Sequence, residues 1–273
     1  MELDMETFTG LRDLVYEQTG ILFQDDKRYV LEGRLQARVK ERNCASYEEY
    51  YKLLKFDAWR DKELAALYNL VTTGETHFYR DQPQLEAFIN AIVPDVMKAN
   101  ETTNTVRLWS AGCSTGDEPY TLAIVAMEHP AFAKWNVEIL ASDISEGALE
   151  AARKGIYGQY AVRNVPPTLL QQYFTKEQGQ YELLPQVRRK VRFANVNLYD
   201  APRLKLIRGM DVIFCRNCLI YFDDKAKRKI VSNLYDCLRP NGYLVIGFSE
   251  SLHNVTRAFK PVRAGRAVVY QKL

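Results

Sequence analysis

The chain has 273 residues, of which 47% are hydrophobic and 26% charged, and its formal net charge is +3. That length holds one large domain or a large and a small one. No run reaches the roughly 18 apolar residues of a membrane span, and so small an excess of basic residues does not by itself argue for nucleic acid.

The opening MELDMETFTG lacks a basic stretch followed by an apolar one, so no signal peptide is expected. The five cysteines (Cys44, Cys113, Cys215, Cys218 and Cys237) then read as reduced thiols of a cytoplasmic protein. From the N-terminus to about residue 80 the pattern is helical throughout, in ETFTGLRDLVYEQTG, DDKRYVLEGRLQARVKERN, SYEEYYKLLKF and ELAALYNLVTT. From residue 105 it changes. VRLWSAG, VEILASDIS, VRFANVN, DVIFCRN and GYLVIGFSE are short apolar runs rich in β-branched residues, several of them separated by amphipathic stretches, and RAVVYQKL closes the chain. Strands alternating with helices predict a parallel sheet covered on both faces. Residues 156 to 190 interrupt the alternation with prolines, glycines and a polar hairpin-like centre, which predicts a small subdomain inserted between the second and third strands. Cys215 and Cys218 form a CxxC without a second pair, so they read as semi-buried small residues rather than zinc ligands.

The most informative stretch is LWSAGCSTGDEPYTLAI, residues 108 to 124, which starts as a buried strand and ends as a helix. A glycine-rich strand-to-helix turn ordinarily binds phosphate through bare helix amides. Here Asp117 and Glu118 occupy the place of the phosphate. The turn is neither G-x-G-x-x-G nor G-x-x-x-x-G-K-[ST], so NAD, FAD and ATP fit poorly. A nucleoside with positive charge fits better, and S-adenosylmethionine carries an ammonium and a sulfonium but no phosphate. Asp143, at the end of the second strand, stands where an acid accepts ribose hydroxyls; capping the helix that begins at Ser145 or Glu146 is the alternative.

Two further stretches complete a pattern: LVTTGETHFYRD, which ends beside Arg80, and VIFCRNCLIYF, which holds Arg216, Asn217 and Tyr221. Together with SAGCSTGDEPYTLAI, ASDISEGALEAARKGIY, NVNL and GYLVIGFSESL, they resemble the CheR family, S-adenosylmethionine-dependent methyltransferases that esterify glutamates of bacterial chemoreceptors. The resemblance spans nearly the whole chain. It implies an α/β fold with a Rossmann-like methyltransferase sheet over residues 81–273, an all-helical N-terminal domain over 1–80 that docks the receptor, and an inserted β-subdomain over about 156–190.

By that resemblance Gly74, Thr76 and Arg80 line the cofactor site, with Arg80 on the methionine carboxylate. Glu118 takes the ammonium, Asp143 the ribose, and Asn197 with Leu198 borders the adenine. Arg216 and Asn217 lie close to the sulfonium, and Asp117 is a carboxylate favoured at a helix start. Some relatives have asparagine where this chain has Gly74. The acceptor glutamate, with an ordinary pKa near 4.3, is already ionised at pH 7. Orientation and exclusion of water therefore supply the catalysis, and Tyr221 and Arg80 are the catalytic candidates that orient the carboxylate. No metal is expected, because His77, His129 and His253 form no HExxH.

In RYVLEGRLQARVKER, Leu31, Leu35 and Val39 form one stripe, with Arg34, Arg38 and Arg42 beside it at four-residue spacing and Lys27 extending the line. A solvated basic face is one reading. Docking on the helical bundle of a receptor is the reading the resemblance favours, and it makes Arg38→Glu slow receptor methylation without changing cofactor affinity. Nucleic acid is disfavoured because aromatic residues are not interleaved in the stripe. The segment YELLPQVRRKVRF lacks a glycine-containing extension, so no tether to a peptide at the receptor C-terminus is expected. The protein is expected to be a monomer without membrane insertion. Another methyl acceptor, or a non-catalytic cofactor-binding adaptor of receptor arrays, is the alternative.

Overall fold

A computed structural model describes residues 2–273. Two compact units emerge, Met1–Thr73 with Tyr221–Lys227, and Gly74–Ile220 with Arg228–Leu273. The expected boundary at residue 80 therefore moves to Thr73/Gly74. The reason is Phe78, whose ring is fully buried edge-on against Tyr157 and Phe174 of the second unit.

The first unit is helical. Helix α1 (Met5–Thr19) starts at Asp4, whose carboxylate accepts the Thr7 amide, and stops at Gly20 with φ +77. It is followed by α2 (Arg28–Glu41), α3 (Tyr47–Phe56) and α4 (Arg60–Val71). Leu31, Leu35 and Val39, at four-residue intervals on α2, are fully buried with Phe8, Leu11, Tyr47, Tyr50 and Leu67 in one core. Residues 221–227 complete the unit. Ile21 bridges Phe222, and the Tyr16 hydroxyl donates to the Asp223 carboxylate at 3.0 Å.

In the second unit, helix α5 (Gln82–Ala87) runs through a π-helical turn at Phe88–Ile92 into α6 (Val93–Ala99), where Pro94 removes a ladder N–H. The strands are β1 (Thr105–Ala111), β2 (Asn136–Asp143), β3 (Ile156–Tyr157), β4 (Phe174–Glu177), β5 (Gln180–Leu183), β6 (Val191–Asn195), β7 (Met210–Cys215), β8 (Leu238–Ile246), β9 (Phe259–Ala264) and β10 (Ala267–Lys272). Seven of them form one sheet in the order β6-β2-β1-β7-β8-β10-β9. The first five run parallel, and β10 is antiparallel to both its neighbours, so the sheet is mixed rather than wholly parallel. Strand β9 was not anticipated. Central β1 buries Leu108 and Trp109 completely, as a strand covered on both faces must. Strand order reverses between β1 and β7, which opens the crevice of a doubly wound sheet at the carboxyl ends of β1, β2 and β7. The predicted insertion is a three-stranded antiparallel sheet, β3-β5-β4.

Candidate cofactor site

From Ala111 the chain turns through Gly112–Gly116 into helix α7 (Asp117–Glu128). Gly112 and Gly116 have φ of +79 and +88, and a Cβ at Gly116 would stand 2.9 Å from the Ala152 Cβ on helix α8 (Glu146–Lys154). Only glycine allows this turn to pass there. The Gly112 and Cys113 amides donate to the Ser142 carbonyl at 2.8 and 2.9 Å, which ties the turn to the end of β2.

Asp143 bridges two turns. Its Oδ2 accepts the Ser114 amide at 2.8 Å and its Oδ1 the Ser145 amide at 2.9 Å. The cap of α8 is Ser145, whose Oγ accepts the Ala148 amide, so Asp143 is not the cap residue. Burial raises the Asp143 carboxyl above its ordinary range, opposed by these amides.

Glu118 accepts the Ser110 hydroxyl at 2.7 Å and Arg216 Nη1 at 3.0 Å. Arg216 is a clamp. Its Nε donates to Gln84 Oε1 at 2.6 Å, and its Nη2 to the Arg80 carbonyl at 2.6 Å and Asp81 Oδ2 at 2.9 Å. Gln84 in turn donates to the Ile246 carbonyl at 2.6 Å. Four of the five guanidinium N–H groups are thus spent on protein acceptors. Arg216 holds Glu118 and the Arg80–Asp81 segment in place rather than presenting a free cation. One cation between two carboxylates leaves the cluster with excess negative charge.

The remaining expected residues of the second unit lie on three other segments of the chain. The Gly74 carbonyl accepts the Ser114 hydroxyl at 3.0 Å, which seats the segment holding Thr76 and Arg80 against the glycine turn. Arg80 is partly exposed between Tyr79 and Asp81, both left-handed at φ +54 and +56, and it donates to the Glu75 carbonyl at 3.1 Å. Asn197 and Leu198 follow β6, whose Asn195 pairs with Asp143. Asn197 Oδ1 accepts the Tyr199 amide, and the Leu198 carbonyl accepts Asn233. Asn217 has φ +55, and its buried Oδ1 has no hydrogen-bond partner. Tyr221 belongs to the helical unit, where its carbonyl accepts the Leu22 amide at 3.5 Å.

The basic residues of α2 are engaged within the helical unit. Arg34 bonds the Val71 carbonyl and the Thr73 hydroxyl, and Arg38 grips Glu63 through Nε and Nη2, both at 2.7 Å. Arg42 reaches the same carboxylate at 3.3 Å, whereas Lys27 pairs with its neighbour Asp26. The face is therefore less free than a solvated stripe. Cys215 is buried and Cys218 half-buried, and all five cysteines are free thiols. Among the described residues no group of His, Cys, Asp and Glu is placed to hold a metal ion, and no helix is long and apolar enough to cross a membrane.

Ser110, Asp81 and Gln84 were not foreseen as site residues. Ser110 alone left a signal, as a small polar residue at the end of an apolar strand.

The donor set fits a cation-bearing nucleoside. Asp81 and Glu118 share the single Arg216 guanidinium and Asp143 anchors the adjoining turn, a charge pattern that suits a cation better than a polyphosphate. Asp117 sharpens the point. Burial pushes its carboxyl up to about 6, against a hydrogen bond from Thr115, and its Oδ1 has no partner. Its folded pKa exceeds the unfolded 3.8, so its stabilising contribution is complete below pH 3.8 and disappears as pH rises through 6. Asp117→Asn should therefore gain on the wild type by about 3 kcal/mol between pH 4 and pH 7 in urea melts without ligand. A difference independent of pH would show that the carboxylate is well solvated.

Residues 6–72 match the family model described as CheR methyltransferase, all-alpha domain, and residues 74–268 that described as CheR methyltransferase, SAM binding domain. The chain is 37% identical to chemotaxis protein methyltransferase 2 of Vibrio cholerae, over 97% of this chain and 92% of that one. It is 34% identical to the chemotaxis protein methyltransferase of Escherichia coli, over 92% and 86%, and 32% identical to chemotaxis protein methyltransferase 1 of Pseudomonas aeruginosa, over 98% and 97%.

Proposed function

The chain belongs to the CheR methyltransferase family, and from that premise we propose that it transfers a methyl group from S-adenosylmethionine to glutamate side chains of methyl-accepting chemoreceptors, forming methyl esters. At the coarser level it is an S-adenosylmethionine-dependent methyltransferase of chemotaxis. The observation that carries the reading is the meeting of Glu118, Asp143 and the Gly112–Gly116 turn at the carboxyl ends of β1 and β2, with Arg216 held back as a clamp.

When bound, S-adenosylmethionine supplies an activated methyl group. In this reading Glu118 binds its ammonium, Asp143 its ribose, and Arg80 its carboxylate by a charge-assisted bond. Asn197 and Leu198 border the adenine, and Gly74 and Thr76 close the site from the segment before Arg80. Tyr221 and Arg80 orient the acceptor carboxylate, which needs no base because it is ionised at neutral pH. In-line placement and removal of water from that carboxylate supply the rate. Receptor docking is assigned to α2 through Lys27, Arg34, Arg38 and Arg42, and the enzyme acts as a monomer without a C-terminal peptide tether.

Incubation with methyl-tritiated cofactor and cytoplasmic receptor fragments tests this. Base-labile label on the receptor, released as methanol, is expected. Base-stable label would assign a different acceptor, and binding of adenosylhomocysteine without transfer would make the protein an adaptor.

A further inference from the structure

We propose that Glu250 is a positioning residue for the methyl transfer: its carboxylate gathers the amides of the turns that follow β7 and β8 and so fixes Asn217 at the cofactor site. This rests on the function proposed above.

Glu250 sits just beyond β8. Its Oε2 accepts the Gly247 amide at 2.6 Å and the Asn217 amide at 3.0 Å, and its Oε1 accepts the Ile220 amide at 3.1 Å. These donors are main-chain groups on two separate turns, and neither turn is a regular ladder that would satisfy them. The carboxylate therefore acts as a half-buried anion inside a nest of amides. Burial raises its carboxyl above the ordinary glutamate range, and the amide bonds oppose that rise.

The grip bears on Asn217 for three reasons. Asn217 is left-handed at φ +55, a conformation that costs a non-glycine residue energy and needs outside support. Its Oδ1 is buried without a hydrogen-bond partner, so the main chain has to set where that atom lies. Finally, the two turns touch backbone to backbone. A Cβ at Gly247 would stand 2.7 Å from Glu250 Oε2, 2.8 Å from the Asn217 nitrogen and 3.0 Å from Asn217 Nδ2. Glycine at 247 and glutamate at 250 thus form one device whose product is the position of Asn217, the residue next to the Arg216 clamp.

Glu250→Gln keeps the shape but turns an NH2 toward N–H donors. Methyl transfer by this variant should lose about tenfold to a hundredfold in kcat, with adenosylhomocysteine affinity by calorimetry within about threefold of wild type. Gly247→Ala presses on the same contact from the other side and should show the same split, so the test survives if the first variant does not fold. In an Asn217→Ala background the Glu250→Gln change should cost less than about threefold, because its effect passes through Asn217. Equal losses of kcat and cofactor affinity, or effects that multiply independently in the double variant, would overturn the proposal. Amide exchange separates this from the broader reading. Faster exchange at residues 216–220 and 247–250 in Glu250→Gln is expected even if wild-type protein transfers no methyl group, and unchanged exchange there would refute the grip itself.

Discussion

Asp143→Ala should weaken adenosylhomocysteine binding by about a hundredfold or more, read by calorimetry. Each carboxylate oxygen already accepts one amide, from Ser114 or Ser145, and an oxygen of an ionised carboxylate can accept more than one hydrogen bond. Two hydrogen bonds to a charged acceptor are worth about 1.5–3 kcal/mol each, and each 1.4 kcal/mol is roughly a factor of ten in affinity. The substitution also frees the Ser114 amide and loosens the turn at Gly112–Gly116, which adds to the loss. The same carboxylate predicts a pH dependence. Accepting both hydroxyls requires the ionised form, and burial holds this carboxyl above its ordinary range. Affinity should therefore fall on acidification, starting at a higher pH than an exposed aspartate would allow. A loss below tenfold, with binding insensitive to acid, would leave Asp143 as a turn anchor without a role toward the nucleoside.

Arg38→Glu should destabilise the helical unit by about 3–5 kcal/mol, the cost of stranding a buried charge. The Glu63 side chain is 3% exposed, is held bidentately by Arg38, and accepts the Tyr50 hydroxyl at 2.8 Å. Burial pushes its carboxyl up, but Arg38, Tyr50 and Arg42 together bring it below the ordinary glutamate range. A depressed carboxyl contributes stability above its unfolded pKa that disappears as pH falls through the folded value. The wild type should therefore hold this unit together well into acid, whereas Arg38→Glu sets two carboxylates face to face at neutral pH. Faster amide exchange in α2 and α4, with an earlier urea transition, is the expected record; wild-type exchange would show that the pair is energetically idle. Slower methylation by that variant would consequently report folding, not docking. Lys27→Glu is the cleaner docking probe, since Lys27 pairs only with its neighbour among the described ion pairs. It should slow receptor methylation at low salt and keep the melting curve of the wild type.

Local patterns were legible and distant closures were not. The leucine and valine spacing of α2 and the apolar runs of β1, β2, β6, β7 and β8 gave the helical unit and the parallel core of the sheet. The acids after the glycine turn pointed to a cationic ligand. Strand β9 escaped because Pro261 breaks its pattern, a residue tolerated there because β9 lies at the sheet edge and pairs only with β10. Arg216 and Asp81 bond across 135 positions, and Arg38 and Glu63 across 25, separations at which no periodicity relates two side chains. The role of Arg216 as a clamp, the limited freedom of the α2 arginines and the return of residues 221–227 to the helices were invisible for that reason.

That return has a consequence for biosynthesis. The ribosome delivers Met1–Thr73 early, but Phe222, which covers the helical core, and Asp223, which receives the Tyr16 hydroxyl, emerge only after most of the polypeptide has been made. The first module to be translated is thus among the last to be completed. A fragment cut at residue 73 would carry a bare apolar spot where Phe222 belongs.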